Sequence, residues 1–253
     1  MRLVTFNILH GRSLDDHDVD TAVLSAAIKE LDPDVLALQE VDRNQHRSGR
    51  ADLTAIAAEA MGADEHRFVA ALAGGPGATW TAATGEEQPD DAAYGIALLS
   101  RMPVSGWEVV RLPALRTKVP IRFPGQVLPT MVHDEPRVAV AASLETDLGP
   151  MTIANTHLSF VRWWNGWQLA HLTSALAGAR RPLMLAGDLN MGPERAARIT
   201  GMQPLGLHPT FPADRPVEQL DHVLGDPSVP ARSEARQMRL SDHRALVVDV
   251  GER

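Results

Sequence analysis

Short apolar runs that end at polar side chains constrain the fold of this chain more than any other feature. Residues 3–9 form one run with Asn7 near its end, residues 35–38 lead into Glu40, and residues 182–186 lead into Gly187 and Asp188. Short apolar runs of this kind are typical of buried strands, and the first is also rich in β-branched residues. Because a sheet holds the side chains at its strand ends rigidly, we expect these polar residues to share a site.

Helical periodicity between the runs predicts that helices alternate with the strands. Apolar residues recur from Val23 to Leu31, with Asp20 ahead of them and Pro33 behind, which predicts an amphipathic helix. Further helices are expected over residues 53–61, 167–179 and 194–199, and further strands over residues 66–72, 94–101, 104–112, 137–144, 151–156, 219–224, 232–238 and 245–250. This alternation indicates a layered α/β protein.

Two stretches between these elements are predicted to be loops. Residues 73–93 are rich in Gly, Pro, Thr and acidic side chains, which is typical of an exposed loop. Residues 113–136 contain five prolines, and proline interrupts regular backbone hydrogen bonding. We expect this second stretch to be a long surface loop near the functional site, because long loops in compact domains are often functional.

Composition bounds the domain count and the kinds of metal site. A chain of 253 residues with 44% hydrophobic residues can bury one large core, so we expect a single domain over residues 1–253. The sequence contains no cysteine, which excludes disulfides and thiolate zinc sites. Any metal must therefore be held by oxygen or imidazole ligands.

The net charge bears on the partners of the protein. A formal net charge of −8 argues against a broad electropositive surface, because nonspecific duplex binding depends on Lys and Arg; a local basic groove would still be compatible with it. The amino terminus lacks the features of a signal peptide, and no stretch approaches the roughly 20 apolar residues of a membrane span. We expect a cytoplasmic protein, and the oligomeric state is left open.

Two polar segments late in the chain carry much of the candidate chemistry. Asp188 and Asn190 are one residue apart after an apolar run, so both can face one cleft while Leu189 turns into the core. Asp242 and His243 come directly before the final strand, where they could serve as a metal ligand and a general acid or base.

Asp221 is flanked by apolar residues that would bury it. A buried carboxylate needs a partner, and His243 is the natural one. Taken singly, each candidate also fits an ordinary role, because Asp and Asn commonly form turns, Glu40 fits an exposed strand end and His157 fits a core imidazole. Their combination supplies the carboxylates, carboxamides and imidazoles that metal-assisted cleavage of a phosphate ester requires.

The order of these motifs resembles that of the endonuclease/exonuclease/phosphatase superfamily, whose fold is deoxyribonuclease I-like. The motifs are Thr5-Phe6-Asn7, Leu38-Gln39-Glu40-Val41-Asp42, Ala97-Leu98-Leu99-Ser100-Arg101, Asn155-Thr156-His157-Leu158, Gly187-Asp188-Leu189-Asn190, Leu220-Asp221-His222-Val223 and Ser241-Asp242-His243. The resemblance spans nearly the whole chain and implies an α/β (α+β) fold, a four-layer sandwich of two mixed β-sheets packed face to face with helices on the outside. It implies a site at one edge between the sheets.

The resemblance also implies roles for the metal-binding and water-activating residues. Glu40 resembles the main Mg²⁺ ligand, with Asn7 and Asp242 near the same ion. Asp188 resembles the residue that orients or deprotonates the attacking water, and Asn190 the one that holds the scissile phosphate or that water. Independently of the resemblance, carboxylates and a carboxamide suit Mg²⁺ or Mn²⁺, which prefer oxygen ligands.

The remaining implied roles concern proton transfer and phosphate contact. Asp221 resembles the carboxylate that orients the histidine matched by His243, which contacts the phosphate and can transfer a proton. His157 resembles a residue that stabilises or protonates the leaving oxygen, and Arg137 resembles a phosphate-contacting arginine.

The chain departs from the family pattern at two points. Gly95-Ile96 stands where many relatives have Gly-Asn, which removes one polar group. The acidic partner that some nucleases place beside the histidine matched by His157 is unassigned. Its candidates share one loop without a distinguishing context, and they are Glu86, Glu87, Asp90 and Asp91.

Two groups of residues bear on the substrate without selecting it. A basic group in or beside the proline-rich loop fits a phosphate-guiding rim or, more simply, a solvated loop. Its members are Arg111, Arg116, Lys118, Arg122 and Arg137. Trp163, Trp164 and Trp167 follow His157, and we expect core packing for two of the three. An exposed pair would suit a nucleobase or an apolar tail, with Trp163 and Trp164 as candidate substrate contacts.

The main interpretation is a metal-dependent phosphodiesterase that uses in-line attack of an activated water on a phosphate ester. The alternatives are a nuclease acting on DNA or RNA, a phosphomonoesterase acting on a small substrate, and a noncatalytic binding protein with the same fold. Family membership does not select among them.

Overall fold

Two β-sheets packed face to face form the centre of the protein, and the described helices cover their outer faces. The computed structural model describes residues 1–14, 18–76, 80–115, 117–121, 128–226 and 229–251. The strands are β1 Arg2–Asn7, β2 Val35–Arg43, β3 Glu65–Gly74, β4 Trp80–Ala82, β5 Ala93–Ser100, β6 Val104–Arg111, β7 Val119–Ile121, β8 Thr130–Val132, β9 Val138–Thr146, β10 Gly149–His157, β11 Leu183–Asp188, β12 Gln203–Pro204, β13 Asp221–Gly225, β14 Ala231–Arg236 and β15 Ala245–Val250. The α-helices are α1 Thr21–Leu31, α2 Leu53–Met61, α3 Arg162–Ala175 and α4 Pro193–Thr200.

Both large sheets are mixed, as the resemblance implies. The first has the strand order β14-β15-β1-β2-β5-β3-β4, and the second has the order β12-β13-β11-β10-β9-β6. The pair β1 and β2 is parallel, and so is the pair β10 and β11. Because parallel neighbours end at the same edge, each of these pairs delivers its last residues to one place.

Alternation along each strand divides the apolar residues between two faces of a sheet. Leu3 and Val35 point between the sheets and pack in a cluster with Val140 of the second sheet. Val4 and Leu36 point the other way and pack against α1 and α2. A third cluster joins the outer face of the second sheet to α3 and α4. The four predicted layers, helices, sheet, sheet and helices, are therefore confirmed.

The first two helices begin where the sequence predicts. Asp20 caps α1 by accepting hydrogen bonds from the backbone N–H groups of Ala22 and Val23. Asp52 caps α2 in the same way, through Thr54 and Ala55. Aspartate at this position satisfies N–H groups that have no partner within the helix.

The structure corrects the predicted start of the third helix. The sequence predicts residues 167–179, whereas α3 spans Arg162–Ala175 and is followed by a 3-10 turn, Leu176–Gly178. The buried side chains of Asn165 and Gln168 hold its first turns, because Asn165 donates to the Asn190 carbonyl and Gln168 accepts from the Ser159 N–H group. These partners lie in other segments, so local periodicity does not reveal them.

Both predicted loops contain short strands. Within residues 73–93, β4 pairs antiparallel with the end of β3. Within residues 113–136, β7 and β8 form a small two-stranded sheet of their own. A two-residue strand, β12, also pairs with β13 at the edge of the second sheet. Strands this short carry too few residues for an alternation pattern to be recognised.

A buried network of carboxamides joins the two sheets behind the candidate site. Gln39 Nε2 donates to Asn155 Oδ1 at 2.7 Å. Asn155 Nδ2 donates to the carbonyl oxygens of Leu38 and Ala97 at 2.9 and 2.8 Å. The pairing of β2 with β5 is irregular between Leu38 and Val41, so Asn155 binds carbonyl groups beside an interruption of the ladder.

None of the helices in the described part of the chain has the length and the apolar character required to cross a membrane.

Asn155→Ala tests the network between the sheets. The change leaves the carbonyls of Leu38 and Ala97 without their side-chain donor. Because a buried polar group without a partner costs about 1–3 kcal/mol, we expect the free energy of unfolding to fall by about 2–4 kcal/mol in urea titrations. Gln237→Ala is the control, since its side chain is exposed and should change stability by less than about 0.5 kcal/mol. Equal stability of the two variants would contradict the assigned role of Asn155.

Candidate active site

The site forms where strands of both sheets end at the same edge of the sandwich. Asn7 is the last residue of β1 and pairs in register with Gln39, the neighbour of Glu40. In the second sheet His157 and Asp188 are register partners at the ends of β10 and β11. The antiparallel strand β13 begins beside them, with Asp221 opposite Asp188. Asn7, His157, Asp188 and Asp221 thus lie together at one edge of the sandwich.

Asn7 links the two sheets at the centre of the site. Its Nδ2 atom donates to Glu40 Oε1 and to Asp188 Oδ2, each at 3.1 Å. Its Oδ1 atom accepts a hydrogen bond from the Leu9 N–H group at 3.1 Å, which fixes the orientation of the carboxamide. The buried Asn7 side chain thus donates hydrogen bonds to one carboxylate from each sheet.

Asp221 and His243 form the buried pair that the sequence predicts. His243 Nδ1 lies 2.8 Å from Asp221 Oδ2. The other ring nitrogen, Nε2, lies 3.9 Å from Asp188 Oδ2. His157 approaches the same oxygen from the other side, with Nε2 at 3.5 Å. Two imidazoles therefore flank Asp188. Asp188 is the carboxylate that the described residues place in ion-pair contact with His157.

The loop that carries His243 is fixed from both sides. Ser241 Oγ donates to the Asn7 carbonyl at 2.6 Å and accepts from the His243 N–H group at 3.1 Å. Thr210 Oγ1 accepts from the Asp221 N–H group at 3.3 Å. Sequence reasoning assigned no role to Thr210 or to the Ser241 hydroxyl, because each acts on a residue distant in sequence.

Three residues of the site have backbone conformations that residues other than glycine rarely adopt. The φ angles of Glu40, Asn190 and Ser241 are +57°, +50° and +69°. Such conformations cost free energy in non-glycine residues and persist only where surrounding contacts enforce them. At Glu40 the conformation coincides with the irregular pairing between β2 and β5, which turns the carboxylate toward Asn7.

Asn190 is held by contacts from three neighbouring segments. Its N–H group donates to Asp188 Oδ1 at 3.0 Å, and its Nδ2 donates to the Leu158 carbonyl at 3.0 Å. Its own carbonyl accepts from Asn165 Nδ2 at 2.8 Å. Leu189, between the two site residues, is fully buried in the cluster beneath α3 and α4, as the sequence predicts.

The pKa values of the site residues are shifted by burial and by neighbouring charges. Burial, followed by the charge of Asp221, raises the pKa of Asp188 to about 7. Burial opposes the charged form of His243, but the charge and hydrogen bond of Asp221 outweigh it and raise its pKa to about 10. Burial also raises the pKa of Glu40 and lowers that of His157 well below its usual value. Burial is thus the first cause of the raised pKa values of Asp188 and Glu40, and the charge of Asp221 adds to it at Asp188.

Asp242 and Arg137 lie at the rim of this cluster. The Asp242 carboxylate is near enough for its charge to contribute to the raised pKa of Glu40. Arg137 is buried, and its Nη2 lies 3.5 Å from Glu135 Oε2 and 4.0 Å from Asp134 Oδ1. Its guanidinium is thus partly neutralised by these neighbours, and its Nε is buried without a hydrogen-bond partner among the described atoms.

The tryptophans occupy different surroundings from those expected. Trp163 is 62% exposed and Trp167 is 50% exposed, so the expected packing of two of the three is wrong. Trp164 is half-buried and stacks on Trp167 with ring centroids 4.7 Å apart. The helical spacing of these rings along α3 puts two of them on the solvent side. Trp163 and Trp164 also contact each other, with ring centroids 5.5 Å apart.

A cavity of about 690 Å³ opens beside Asn190. It is bounded by the first turns of α3 and α4 and by the segment before Asp221. Phe160, Arg162, Arg195 and Val217 contribute to its walls. The site thus has room for a group that extends from the carboxylate cluster along the edge of the second sheet.

The predicted basic rim is only partly described. Arg116 and Arg122 lie outside the described residues. Lys118 is exposed, whereas Arg111 points toward β3, where its Nη1 donates to the Ala70 carbonyl at 3.3 Å. The described members therefore do not form one continuous rim with the buried Arg137.

The donor set fits a divalent cation. In the described part of the chain, one group of ligand atoms lies within 4.8 Å of one another, from Asp188, Asp221 and His243. The resemblance implies a metal at Asn7, Glu40 and Asp242, and the two sets meet at the Asn7 amide, which donates to both Glu40 and Asp188. Asp221 Oδ1 is buried without a hydrogen-bond partner among the described atoms, which is rare for a carboxylate oxygen.

Comparison with known proteins gives one family and a common fold. A family model described as the Endonuclease/Exonuclease/phosphatase family matches residues 4–243. No curated protein matches the sequence significantly. A crystal structure described as an endonuclease/exonuclease/phosphatase from Beutenbergia cavernae DSM 12333 is 24% identical, with a TM-score of 0.71 over 99% of this chain and 71% of that one.

Two further solved structures carry the names of enzymes. A mannosyl-6-phosphatase from Bacteroides thetaiotaomicron VPI-5482 is 13% identical, with a TM-score of 0.62 over 100% of both chains. Sphingomyelinase C from Streptomyces griseocarneus is 14% identical, with a TM-score of 0.64 over 98% of both chains. At these identities the likeness shows a shared fold.

Gly187→Ala tests how closely the strands must approach to place Asp188. A Cβ atom at Gly187 would overlap the carbonyl oxygen of Thr156, and the φ angle there is +139°. We expect the free energy of unfolding to fall by about 3 kcal/mol or more, because both the overlap and the backbone conformation oppose a side chain. Gly106→Ala in β6 is the control, since nothing lies within 4 Å of its added Cβ. Indistinguishable urea midpoints for the two variants would refute this.

Proposed function

Because the chain belongs to the endonuclease/exonuclease/phosphatase family, we propose that it is a divalent-metal-dependent phosphoesterase, and specifically a phosphodiesterase. Members of this family are hydrolases that act on phosphate esters. The observation that carries the proposal is the position of Asp188, which lies between the Asn7 amide and two imidazoles. Contacts at this sheet edge also join Asn7 to Glu40 and His243 to Asp221, which supports a shared role for these residues.

We assign the metal to the carboxylate side of the cluster. Glu40 would be the main ligand of Mg²⁺ or Mn²⁺, with Asn7 and Asp242 beside it, because the two carboxylates offer the oxygen atoms that such ions prefer. When bound, the ion supplies a positive charge that offsets the negative charge growing on the phosphate oxygens. Burial of Glu40 and the nearby charge of Asp242 raise the pKa of Glu40, and a cation in this place would stabilise its carboxylate form.

The chain's own residues would manage the attacking water. Asp188 has one oxygen bound by the Asn190 N–H group, and its other oxygen faces both imidazoles and the Asn7 amide. A carboxylate held in this way can orient a water and accept its proton. The Asn190 segment, fixed by Asn165 and Leu158, would position the scissile phosphate or that water next to Asp188.

The two histidines would have different roles. Asp221 holds Nδ1 of His243, which leaves Nε2 facing the cleft as a hydrogen-bond donor. A histidine paired with a buried carboxylate favours its protonated form, so His243 would contact the phosphate as a cation. His157 contacts Asp188 instead, with its Nε2 3.5 Å from Asp188 Oδ2. We assign His157 to stabilisation of the leaving oxygen.

The cavity beside Asn190 supports an ester with a sizeable organic substituent. Its volume of about 690 Å³ provides room for one such substituent, which monoesters and diesters both carry. The two named structures with the same fold, a mannosyl-6-phosphatase and a sphingomyelinase, show that the fold accommodates different esters. Fold alone does not decide among them.

Asp188→Asn tests the proposed role of the central carboxylate. We expect hydrolysis of bis(p-nitrophenyl) phosphate in MgCl₂ to fall by about 10²–10⁴-fold, because general base catalysis contributes this much to rates. The activity of the unchanged protein should also disappear in EDTA and return with Mg²⁺ or Mn²⁺. Asp64→Asn, an exposed carboxylate outside the site, is the control and should retain full activity. Near-normal turnover by folded Asp188→Asn would refute the assigned role.

A monoester arm decides the ester class. The same assay with p-nitrophenyl phosphate should give a much lower kcat/KM than the diester. A preference for the monoester would replace the phosphodiesterase with a phosphomonoesterase. No hydrolysis of either ester with any divalent ion would instead favour the binding protein.

A further inference from the structure

A further cavity has a strongly basic lining, and we propose that it binds the phosphate group of an organic phosphate. The cavity has a volume of about 550 Å³, and three arginines line it, Arg43, Arg67 and Arg111. Its lining contains none of the residues assigned to the candidate active site.

The fold brings these arginines together from both sheets. Arg43 is the last residue of β2. Arg67 lies in β3 of the same sheet. Arg111 is the last residue of β6 in the second sheet, opposite Val138. The three guanidinium groups therefore approach one opening from different strands, although they are distant in sequence.

The charge in this cavity is not balanced by the protein. None of the three arginines forms an ion pair within the described part of the chain, whereas Arg2, Arg180 and others do. The cavity contains one carboxylate, that of Glu87. Its oxygens already accept hydrogen bonds from the loop that carries it, including the N–H groups of Thr84 and Gly85. Three guanidinium groups and one carboxylate leave a positive excess.

Contacts within the protein hold Arg43 and Arg111 in place. The Arg43 guanidinium carbon lies 4.8 Å from the centre of the Phe68 ring, a cation–π contact, and its Nη2 donates to the Gln88 carbonyl at 3.2 Å. Its Nε is buried and has no hydrogen-bond partner among the described atoms. Arg111 is oriented by its bond to the Ala70 carbonyl. Both side chains keep further N–H donors for a ligand.

The chemistry of the walls indicates the class of ligand. Guanidinium groups bind phosphate oxygens through paired hydrogen bonds, and several of them suit the three oxygens of a phosphate better than the two of a carboxylate. Phe68 and Val109 supply apolar wall beside the arginines. A site with a few charged groups on an apolar wall is typical of an organic ligand with one anionic end.

Direct binding of inorganic phosphate tests the proposal without any assay of activity. In ¹H–¹⁵N spectra recorded in EDTA, added phosphate should shift the amide signals of Thr84 and Gly85 in a saturable way. Arg67→Ala combined with Arg111→Ala should weaken this response at least tenfold. The matched control combines Arg180→Ala with Arg181→Ala, which removes the same charge from two exposed side chains, and should change it less than twofold.

Two outcomes would overturn the proposal. One is the absence of saturable shifts at Thr84 and Gly85. The other is equal weakening in both double variants, which would show a response to net charge alone. Conservative replacement of Arg67 and Arg111 by lysine should restore part of the affinity, which separates lost charge from a damaged fold. Because the readout is binding at named amides, it is independent of the proposed phosphodiesterase activity.

A second arm identifies the source of the phosphate, and this arm rests on the proposed function. If the group belongs to the substrate, the Arg67 and Arg111 double variant should raise KM at least fivefold for a dinucleotide with a 5′-phosphate. It should leave KM for bis(p-nitrophenyl) phosphate unchanged. An unchanged KM for both esters, together with lost phosphate binding, assigns the cavity to a separate organic phosphate.

Discussion

The arrangement of Asp188 opposite Asp221 on neighbouring strands is the constraint on which the rest of the site depends. Two buried carboxylates this close repel each other and favour protonation unless positive charge or hydrogen-bond donors surround them. The protein supplies His243 to Asp221 and the Asn7 amide to Asp188. Among the described residues, one Asp221 oxygen is left without a hydrogen-bond partner. A divalent cation bound beside the cluster would offset the negative charge of these carboxylates.

The scaffold keeps these charges close at some cost in backbone conformation. Glu40, Asn190 and Ser241 all have positive φ angles, and Gly187 occupies a place where a side chain would meet the neighbouring strand. Such features destabilise a fold unless other contacts compensate. Here the buried carboxamides between the sheets and the packed cores on both faces provide that compensation. The site is therefore assembled by rigid strand ends, and its geometry does not depend on a mobile loop.

Much of this architecture follows from local patterns in the sequence. The bounds of α2 coincide with the predicted residues 53–61. The apolar neighbours of Asp221 predict its burial, and a buried carboxylate needs a partner, which is His243 in the structure. The contacts that escaped prediction join segments distant in sequence, such as Gln39 with Asn155. The start of α3 escaped for the same reason, because its buried polar residues bind loops outside the helix. Metal ligation was assigned through the resemblance, and spacing alone could not rank Glu40 above Asp188.

Thermal unfolding with and without MgCl₂ tests most directly whether a cation completes the carboxylate cluster. A ligand that binds only the folded state stabilises it by about 2.7 kcal/mol at a hundred times its Kd. We predict that the unfolding midpoint of the unchanged protein rises with Mg²⁺. In EDTA, Glu40→Gln should unfold at a higher temperature than the unchanged protein, because burial opposes the negative charge that Glu40 carries. This variant should respond little to Mg²⁺. A midpoint of the unchanged protein that is insensitive to both Mg²⁺ and Mn²⁺ would contradict the account.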